Sequence, residues 1–355
     1  MDLHNITRNG LYMAWSAAIR RFSLILVFLS ISTLARAGEL PRIVTTIPPI
    51  HSLVAAVTEG VVDPVLLVRG GSSPHTYAMA PSDARAIQNA QLIVWVGPNL
   101  ETFLARALRD PRDGRRIITL MNEDGMLLLD TREGGIFEGH NDDHDTDHDD
   151  DHDAYHGNDH DDHAAHGNDV HHDDAHRDDD HSRTDAHLWL DPLNAKRTVE
   201  IVAEALINLD PERAQTYRAN AARALDGIAR LDKSLAATFV SIEQQPFFVF
   251  HDAYQYLENR YGLSVAGSIT VSPDRKPGAR RLREIQQRIS QESVACIFAE
   301  PQFSPSVIES VTEGTAARTS TADPLGAELE PGSALYTNLM FSLARSFSDC
   351  LSPRS

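Results

Sequence analysis

Residues 211–250 read PERAQTYRANAARALDGIARLDKSLAATFVSIEQQPFFVF, and the change of period inside this stretch decides the fold. Tyr217, Ala221, Leu225, Ile228, Leu231, Leu235 and Phe239 follow one another at steps of three or four residues, the spacing that lines side chains along one face of an α-helix. Pro211 suits a first helical turn, with Asp210 as the cap before it. The pattern continues to about Glu243, and a helix of that length spans roughly 45 to 50 Å. One small domain has no need of such a rod, whereas two domains can be joined by it. After Gln245-Pro246 the run Phe247 to Phe250 is short, aromatic and apolar, as a buried strand is.

Outward from this point strands and helices alternate in both directions. Upstream, Ile43 to Ile47 is a β-branched strand ending at Pro48-Pro49. There follow a helix from Ile50 to Glu59, a strand from Val65 to Val68 and a Gly-rich loop carrying His75. Next come a helix from Ser82 to Ala90, a strand from Leu92 to Val96, a helix from Asn99 to Leu108 and a strand from Ile117 to Leu120. Helical patterning returns at Pro192. Downstream, helices at Tyr254–Tyr261, Gly278–Gln291, Pro305–Gly314 and Tyr336–Leu351 are interleaved with strands at Ser264–Gly267, Val294–Phe298 and near Arg318. Alternation of this kind predicts βαβ units and parallel sheets. The expected architecture is α/β, with two Rossmann-like lobes, 38–210 and 244–355, joined by a long backbone helix at 211–243.

Residues 140–181 interrupt the alternation with HNDDHDTDHDDDHDAYHGNDHDDHAAHGNDVHHDDAHRDDDH. Twelve of the 17 histidines lie here: His140, His144, His148, His152, His156, His160, His163, His166, His171, His172, His176 and His181. Imidazole with carboxylate is the ligand set of borderline divalent metals such as zinc. The first six recur at every fourth residue, but the intervening Asp, Asn and Gly favour coil over helix. The tract is therefore read as a flexible chelator, disordered when metal-free. It also carries most of the charge. Eighteen aspartates between His140 and Asp185 face only Arg177 and Arg183, so -16 of the net -19 is local and -3 is left for the rest. A near-neutral body without a basic patch argues against a nucleic-acid partner.

At the N-terminus Arg20-Arg21, the apolar run Phe22 to Leu34 and Ala35-Arg36-Ala37 have the order of a secretory signal cut after about Ala37. The run is too short to span a bilayer core, which takes roughly 20 residues. The mature chain is thus expected to be exported, soluble and monomeric. Only two cysteines occur, Cys296 and Cys350. In an oxidising compartment such a pair reads as one disulfide, worth about 4 to 5 kcal/mol at most, or else as two unrelated buried thiols.

In an open parallel sheet, ligands bind beyond the carboxyl ends of the strands. His251 follows the strand Phe247–Phe250, His75 lies in the loop after Val65–Val68, and Asp323 follows the strand near Arg318. His187, in Asp185-Ala186-His187-Leu188-Trp189-Leu190-Asp191-Pro192, is the first histidine beyond the tract. Two come from each lobe, so they can meet in an interdomain cleft. Each also has a structural reading: a strand-end histidine can be a hydrogen-bonded core residue, and Asp323 before Pro324 can be a turn or helix cap. His51, after Pro48-Pro49-Ile50, is a decoy at another strand end.

The segments SPHTYAMAPSDARAIQNAQLIVWVGPNLE, DAHLWLDP, FFVFHDAYQYLENRYGL, TVSPDRKPGARRLREI, CIFAEPQFSPSVIESV and ADPLG, in that order, resemble the zinc-uptake periplasmic solute-binding proteins of ABC transporters, the ZnuA type. The likeness covers essentially the whole mature chain, including a His-rich insertion before the HLWL segment. It implies that His75, His187 and His251 are the zinc-binding histidines, that Cys296 pairs with Cys350, and that the partners are a membrane permease and an ATPase. Where many relatives carry Glu before the first histidine, this chain has Pro74. Asp323, behind Ala322, or a water is then expected to complete a tetrahedron. No P-loop motif is present in the sequence, so energy is expected from the partner.

Three imidazoles and one carboxylate suit Zn2+, while manganese and magnesium want more oxygen ligands. The alternatives are a manganese or iron carrier of the same fold, and a periplasmic zinc buffer without a permease. A secreted zinc hydrolase is the third, but no H-E-x-x-H motif occurs. The chain reads as a carrier and not an enzyme, with the tract collecting or buffering zinc beside the cleft.

Overall fold

The computed structural model describes residues 39–109, 114–132, 183–242, 244–270 and 277–352, and from Pro41 onward the chain forms one compact unit. The signal-like segment and the whole His/Asp tract lie outside the described residues. Among the described residues eight strands form two four-stranded sheets. The first contains β1 (Ile43–Thr45), β2 (Val65–Leu66), β3 (Leu92–Trp95) and β4 (Arg116–Thr119), in the order β2-β1-β3-β4. The second contains β5 (Phe247–His251), β6 (Val265–Thr270), β7 (Cys296–Ala299) and β8 (Arg318–Thr321), in the order β6-β5-β7-β8. Every pairing is parallel. The two sheets repeat one topology, and in each the strand order reverses beside its first strand.

The helices are α1 (Pro48–Thr58), α2 (Pro81–Asn89), α3 (Thr102–Leu108), α4 (Pro192–Leu209), α5 (Ala214–Phe239), α6 (Gln255–Tyr261), α7 (Ala279–Gln291), α8 (Ser306–Thr312) and α9 (Leu335–Leu351). Pro48 and Pro49 do not precede α1 but form its first turn, where a missing N–H costs nothing. Asp210 does not cap the long helix as expected. Its carboxylate accepts from Arg213 Nη1 at 2.9 Å and from the Tyr217 hydroxyl at 2.7 Å, and Pro211–Arg213 wind as a 3₁₀ turn. α5 proper has 26 residues, or about 39 Å.

Period-two alternation assigns the strand side chains to two different interiors. Ile43, Leu92, Val94, Phe247, Val249, Cys296 and Phe298 enter a single core that also takes Tyr217, Ile228, Leu231, Leu235 and Phe239 of α5. Their strand neighbours face outward. Val44, Ile93 and Trp95 pack with Ile87 and Leu104 on the first sheet, and Phe248, Phe250 and Ile297 with Ile285, Ile289 and Ile308 on the second. Helices thus cover both faces of each sheet, which explains why the strands are apolar without alternation. Each fully buried Leu, Ile or Phe contributes roughly 1.5 to 3 kcal/mol. The apolar stripe of α5 therefore binds both lobes into one body. A disulfide joins Cys296 of β7 to Cys350 of α9 across a sequence separation of 54 residues.

At the point where the first sheet reverses order, Glu101 is fully buried. Its Oε1 accepts from Thr46 Oγ1 at 2.5 Å and from Val96 N at 3.2 Å, and its Oε2 accepts from Gly97 N at 2.9 Å. The side chain thereby ties the ends of β1 and β3 together. Burial pushes its pKa up to about 7, against the opposing pull of those hydrogen bonds. The sign follows from linkage. The unfolded chain ionises this group near its ordinary value and the folded chain only near 7, so Glu101 lowers stability progressively as pH rises across that window. Urea midpoints measured in chelator between about pH 4.5 and 7.5 are expected to show a downward component in wild type that Glu101→Gln lacks. Equal pH slopes for the two proteins would refute this.

Candidate metal centre

Three of the predicted ligands converge. The ligand nitrogens of His75, His187 and His251 all lie within 4.8 Å of one another, and they are the one such group among the described residues. Ring centroids are 5.5 Å apart for His75 and His187, 5.8 Å for His75 and His251, and 5.1 Å for His187 and His251. His251 is the last residue of β5, where it pairs with Thr270 of β6. His75 lies in the loop beyond β2. His187 is placed by its own segment: Asp185 Oδ1 accepts from the His187 backbone N–H at 3.0 Å, a 3₁₀ turn follows at Leu188–Leu190, and Asp191 then caps α4 through Leu193 N at 2.8 Å. His187 and His251 are buried, and His75 is half-buried.

Two imidazoles are oriented by carboxylates. His187 Nδ1 lies 2.7 Å from Asp185 Oδ1, and His251 Nδ1 lies 2.6 Å from Glu300 Oε1. A carboxylate can only accept, so each Nδ1 carries the proton, and in the neutral ring each Nε2 then presents a lone pair. The two Nε2 atoms face each other at 3.2 Å. Two lone pairs so placed repel, and either a proton on one ring or a metal ion bound by both relieves that repulsion. Nitrogens bound tetrahedrally to one zinc ion at 2.0 to 2.1 Å would be about 3.3 Å apart, so the spacing fits. No hydrogen-bond partner is recorded for the His75 ring among the described residues. The two rings anchored by carboxylates are therefore those of His187 and His251.

The charge around the site also suits a dication. Asp185 Oδ2 and Glu300 Oε2 are buried without hydrogen-bond partners, so negative charge stands uncompensated behind the two rings. Burial by itself pushes His251 down, but the Glu300 charge and hydrogen bond, with Asp252 and Asp185, outweigh it and raise the ring above its ordinary value. His75 is held well below its ordinary value by burial and by the two neighbouring imidazoles. Trp189 beside His187 and Phe303 beside His251 supply apolar walls, at centroid separations of 5.3 and 5.9 Å.

Asp323 stands outside the three-histidine group. Its Oδ1 accepts from Gln302 Nε2 at 2.8 Å and Leu325 N at 3.0 Å, and its Oδ2 from Ala327 N at 2.6 Å. Local backbone N–H groups in the turn after β8 claim both oxygens, which is the turn-cap reading of Asp-Pro. That turn is also held from the first lobe, by Trp189 Nε1 donating to Pro324 O at 2.8 Å. His51 is buried on α1 with Nε2 3.1 Å from Pro64 O, and burial lowers its pKa. It has no part in the cluster. The residues that sequence reasoning missed are Asp185 and Glu300. Their positions carried a signal: Glu300 directly follows an apolar strand, as a cleft residue should, and Asp185 stands two residues before His187.

Two parallel-sheet lobes with a histidine cluster drawn from both define a bilobed α/β protein whose cluster could hold a metal ion between the lobes. Residues 43–350 match the family described as ZnuA, zinc-uptake complex component A, periplasmic, and the chain belongs to that family, a transport component and not an enzyme. It is 45% identical over 316 residues to the high-affinity zinc uptake system protein ZnuA of Brucella suis biovar 1 (strain 1330), covering 89% of this chain and 93% of that one. The protein of the same description from Paracoccus denitrificans (strain Pd 1222) is 37% identical over 335 residues, covering 94% and 99%. Among solved structures, a crystal structure of ZnuA aligns with a TM-score of 0.67 at 22% identity, covering 88% of this chain and 100% of that one. The periplasmic zinc-binding protein TroA from Treponema pallidum aligns with a TM-score of 0.67 at 19% identity, covering 88% and 99%. At those identities the structural likeness carries the fold alone.

Partners that orient a metal-binding histidine typically account for 10- to 100-fold in affinity. Glu300→Gln and Asp185→Asn are each expected to weaken the tightest divalent site by about that factor, read by competition against a chelator of known affinity. An affinity unchanged in both variants would dissociate these carboxylates from metal binding.

Proposed function

We propose that this protein captures Zn2+ between its lobes on His75, His187 and His251 and delivers it to the membrane permease of an ATP-driven importer. The reading is carried by one observation: two buried Nε2 lone pairs face each other at 3.2 Å, each fixed by a carboxylate on the far side of its ring. A divalent cation satisfies that arrangement with both rings neutral. Neutral imidazoles favour zinc over manganese, and the absence of a carboxylate among the three clustered ligands strengthens the preference. A water is the simplest fourth ligand, because Pro74 offers none and Asp323 is engaged by its own turn. The names of the relatives at 45% and 37% identity support zinc as the cargo.

The lobes are assigned as 38–210 and 244–355, with 211–243 as the connecting helix and 1–37 as an export signal. On this reading the 140–181 tract is an auxiliary collector or buffer, whose twelve histidines bind several ions weakly and exchangeably beside His187. The mature protein acts as a soluble monomer in the periplasm, meeting the permease and its ATPase only to unload.

Zinc titration of the full chain and of a chain lacking residues 140–181 separates the two kinds of site. Deletion of the tract is expected to remove the weak equivalents and leave one tight one. His251→Ala or His187→Ala in the deleted chain is expected to abolish that tight site. Retention of the tight equivalent in His251→Ala would overturn the assignment.

A further inference from the structure

Beside the histidines, the segment after β4 is fastened to the second lobe. Arg132 places its guanidinium between two carboxylates of that lobe. Nε donates to Asp252 Oδ2 at 3.0 Å, Nη1 donates to Glu258 Oε2 at 2.7 Å, and Nη2 reaches Glu258 Oε1 at 3.2 Å as well as the second oxygen of Asp252. The side chains retain only 21%, 11% and 8% of their exposure for Arg132, Asp252 and Glu258, so salt screens these pairs little. Asp252 is the residue after His251, and Glu258 lies on α6.

A second set of bonds runs parallel to the first. The Tyr256 hydroxyl of α6 donates to Asp185 O at 2.8 Å and accepts from Leu129 N at 3.1 Å. Gln255 Nε2 donates to Asp130 O at 3.0 Å. The two first-lobe segments are themselves zipped together: Asp130 and Thr184 form an antiparallel bridge, and Asp185 N donates to Leu129 O at 2.8 Å. Asp185 is the residue that orients His187. One helix of the second lobe therefore grips the chain that holds His187, and the same ionic knot grips the residue next to His251.

We propose that Arg132, Asp252, Glu258 and Tyr256 form a latch across the two lobes that keeps His187 and His251 at the spacing of one ion and thereby sets the rate at which the ion is released. The proposal rests on the reading of the three histidines as the zinc site. An ion held from both lobes leaves only when the ligands of one lobe withdraw, and the latch bonds cross the same divide. Lys in place of Arg132 reaches only one of the two carboxylates well. Without the guanidinium, Asp252 and Glu258 lose their shared partner, and the seam must admit water or a proton. Arg132, Tyr256 and the two acids are positioning residues, since they act on the ion through the segments that carry His187 and His251.

The test is zinc release from the full-length chain, followed by stopped-flow after mixing with excess chelator, with the slow phase assigned by its loss in His251→Ala. Arg132→Gln is expected to accelerate that phase about tenfold or more, as breaking a buried charge pair acts on dissociation, while the association rate stays near wild type. Arg132→Lys is expected to fall between. A slow phase within twofold of wild type in Arg132→Gln would overturn the latch. Should Arg132→Gln fail to fold, Asp252→Asn carries the same expectation, and an unchanged rate there is equally fatal. If wild type has no slow phase that His251→Ala removes, it is the zinc assignment that fails, a result separate from a slow phase that Arg132 does not control.

Discussion

Helix α5 offers one apolar stripe, and both sheets bury their inner faces against the core it enters. Tyr217, Ile228, Leu231, Leu235 and Phe239 share a single interior with Ile43 of β1 and Phe247 of β5. Two sheets that have one core in common cannot drift far apart, because separation would expose that core to water. The constraint fixes which strand ends look toward each other. His251 at the end of β5, His75 beyond β2 and His187 before α4 then fall within one ion's reach as a consequence of packing remote from them.

Polar chemistry completes what packing begins. Each sheet carries a buried acid where its strand order reverses, and the two acids have diverged in use. Glu101 in the first lobe spends its oxygens on Thr46, Val96 and Gly97 and is purely structural. Glu300 in the second accepts from the His251 ring and backbone and leaves one oxygen without a partner. A buried acid after the third strand thus serves as a tie in one lobe, at the N-cap of α3, and as a ring-orienting partner in the other, directly after β7. With Asp185 it stands a carboxylate behind an imidazole, so a bound ion would meet nitrogen donors first and charge compensation at one remove.

Much of this was legible in the chain. The three- and four-residue steps of 211–243 and the strand–helix alternation on both sides gave α/β architecture in two lobes, because hydrophobic period depends on local geometry that every fold must obey. The histidines at 75, 187 and 251 were legible as strand-end or segment-end residues, and the family segments around them agree. Asp323 was read as a possible fourth ligand or a turn cap, and the structure places it with the turn. The competition between a distant ion and the adjacent N–H groups of Leu325 and Ala327 is settled by distances that no spacing in sequence reveals. The N-terminal turn of α5 shows the same limit, since Asp210 found Arg213 and Tyr217 in place of the helix amides.

Sequence by itself determined the elements, their alternation and the metal-binding character of the chain, since composition and periodicity are local properties, and strand-end placement singled out the three histidines that the structure brings together. Only the tertiary structure decided which carboxylate stands behind which ring, that Arg132 spans 120 residues of chain to meet Asp252, and that Asp323 belongs to its own turn. Those are pairings between segments far apart in the chain. They are chosen by burial, which makes an unpaired charge costly and a well-placed partner decisive.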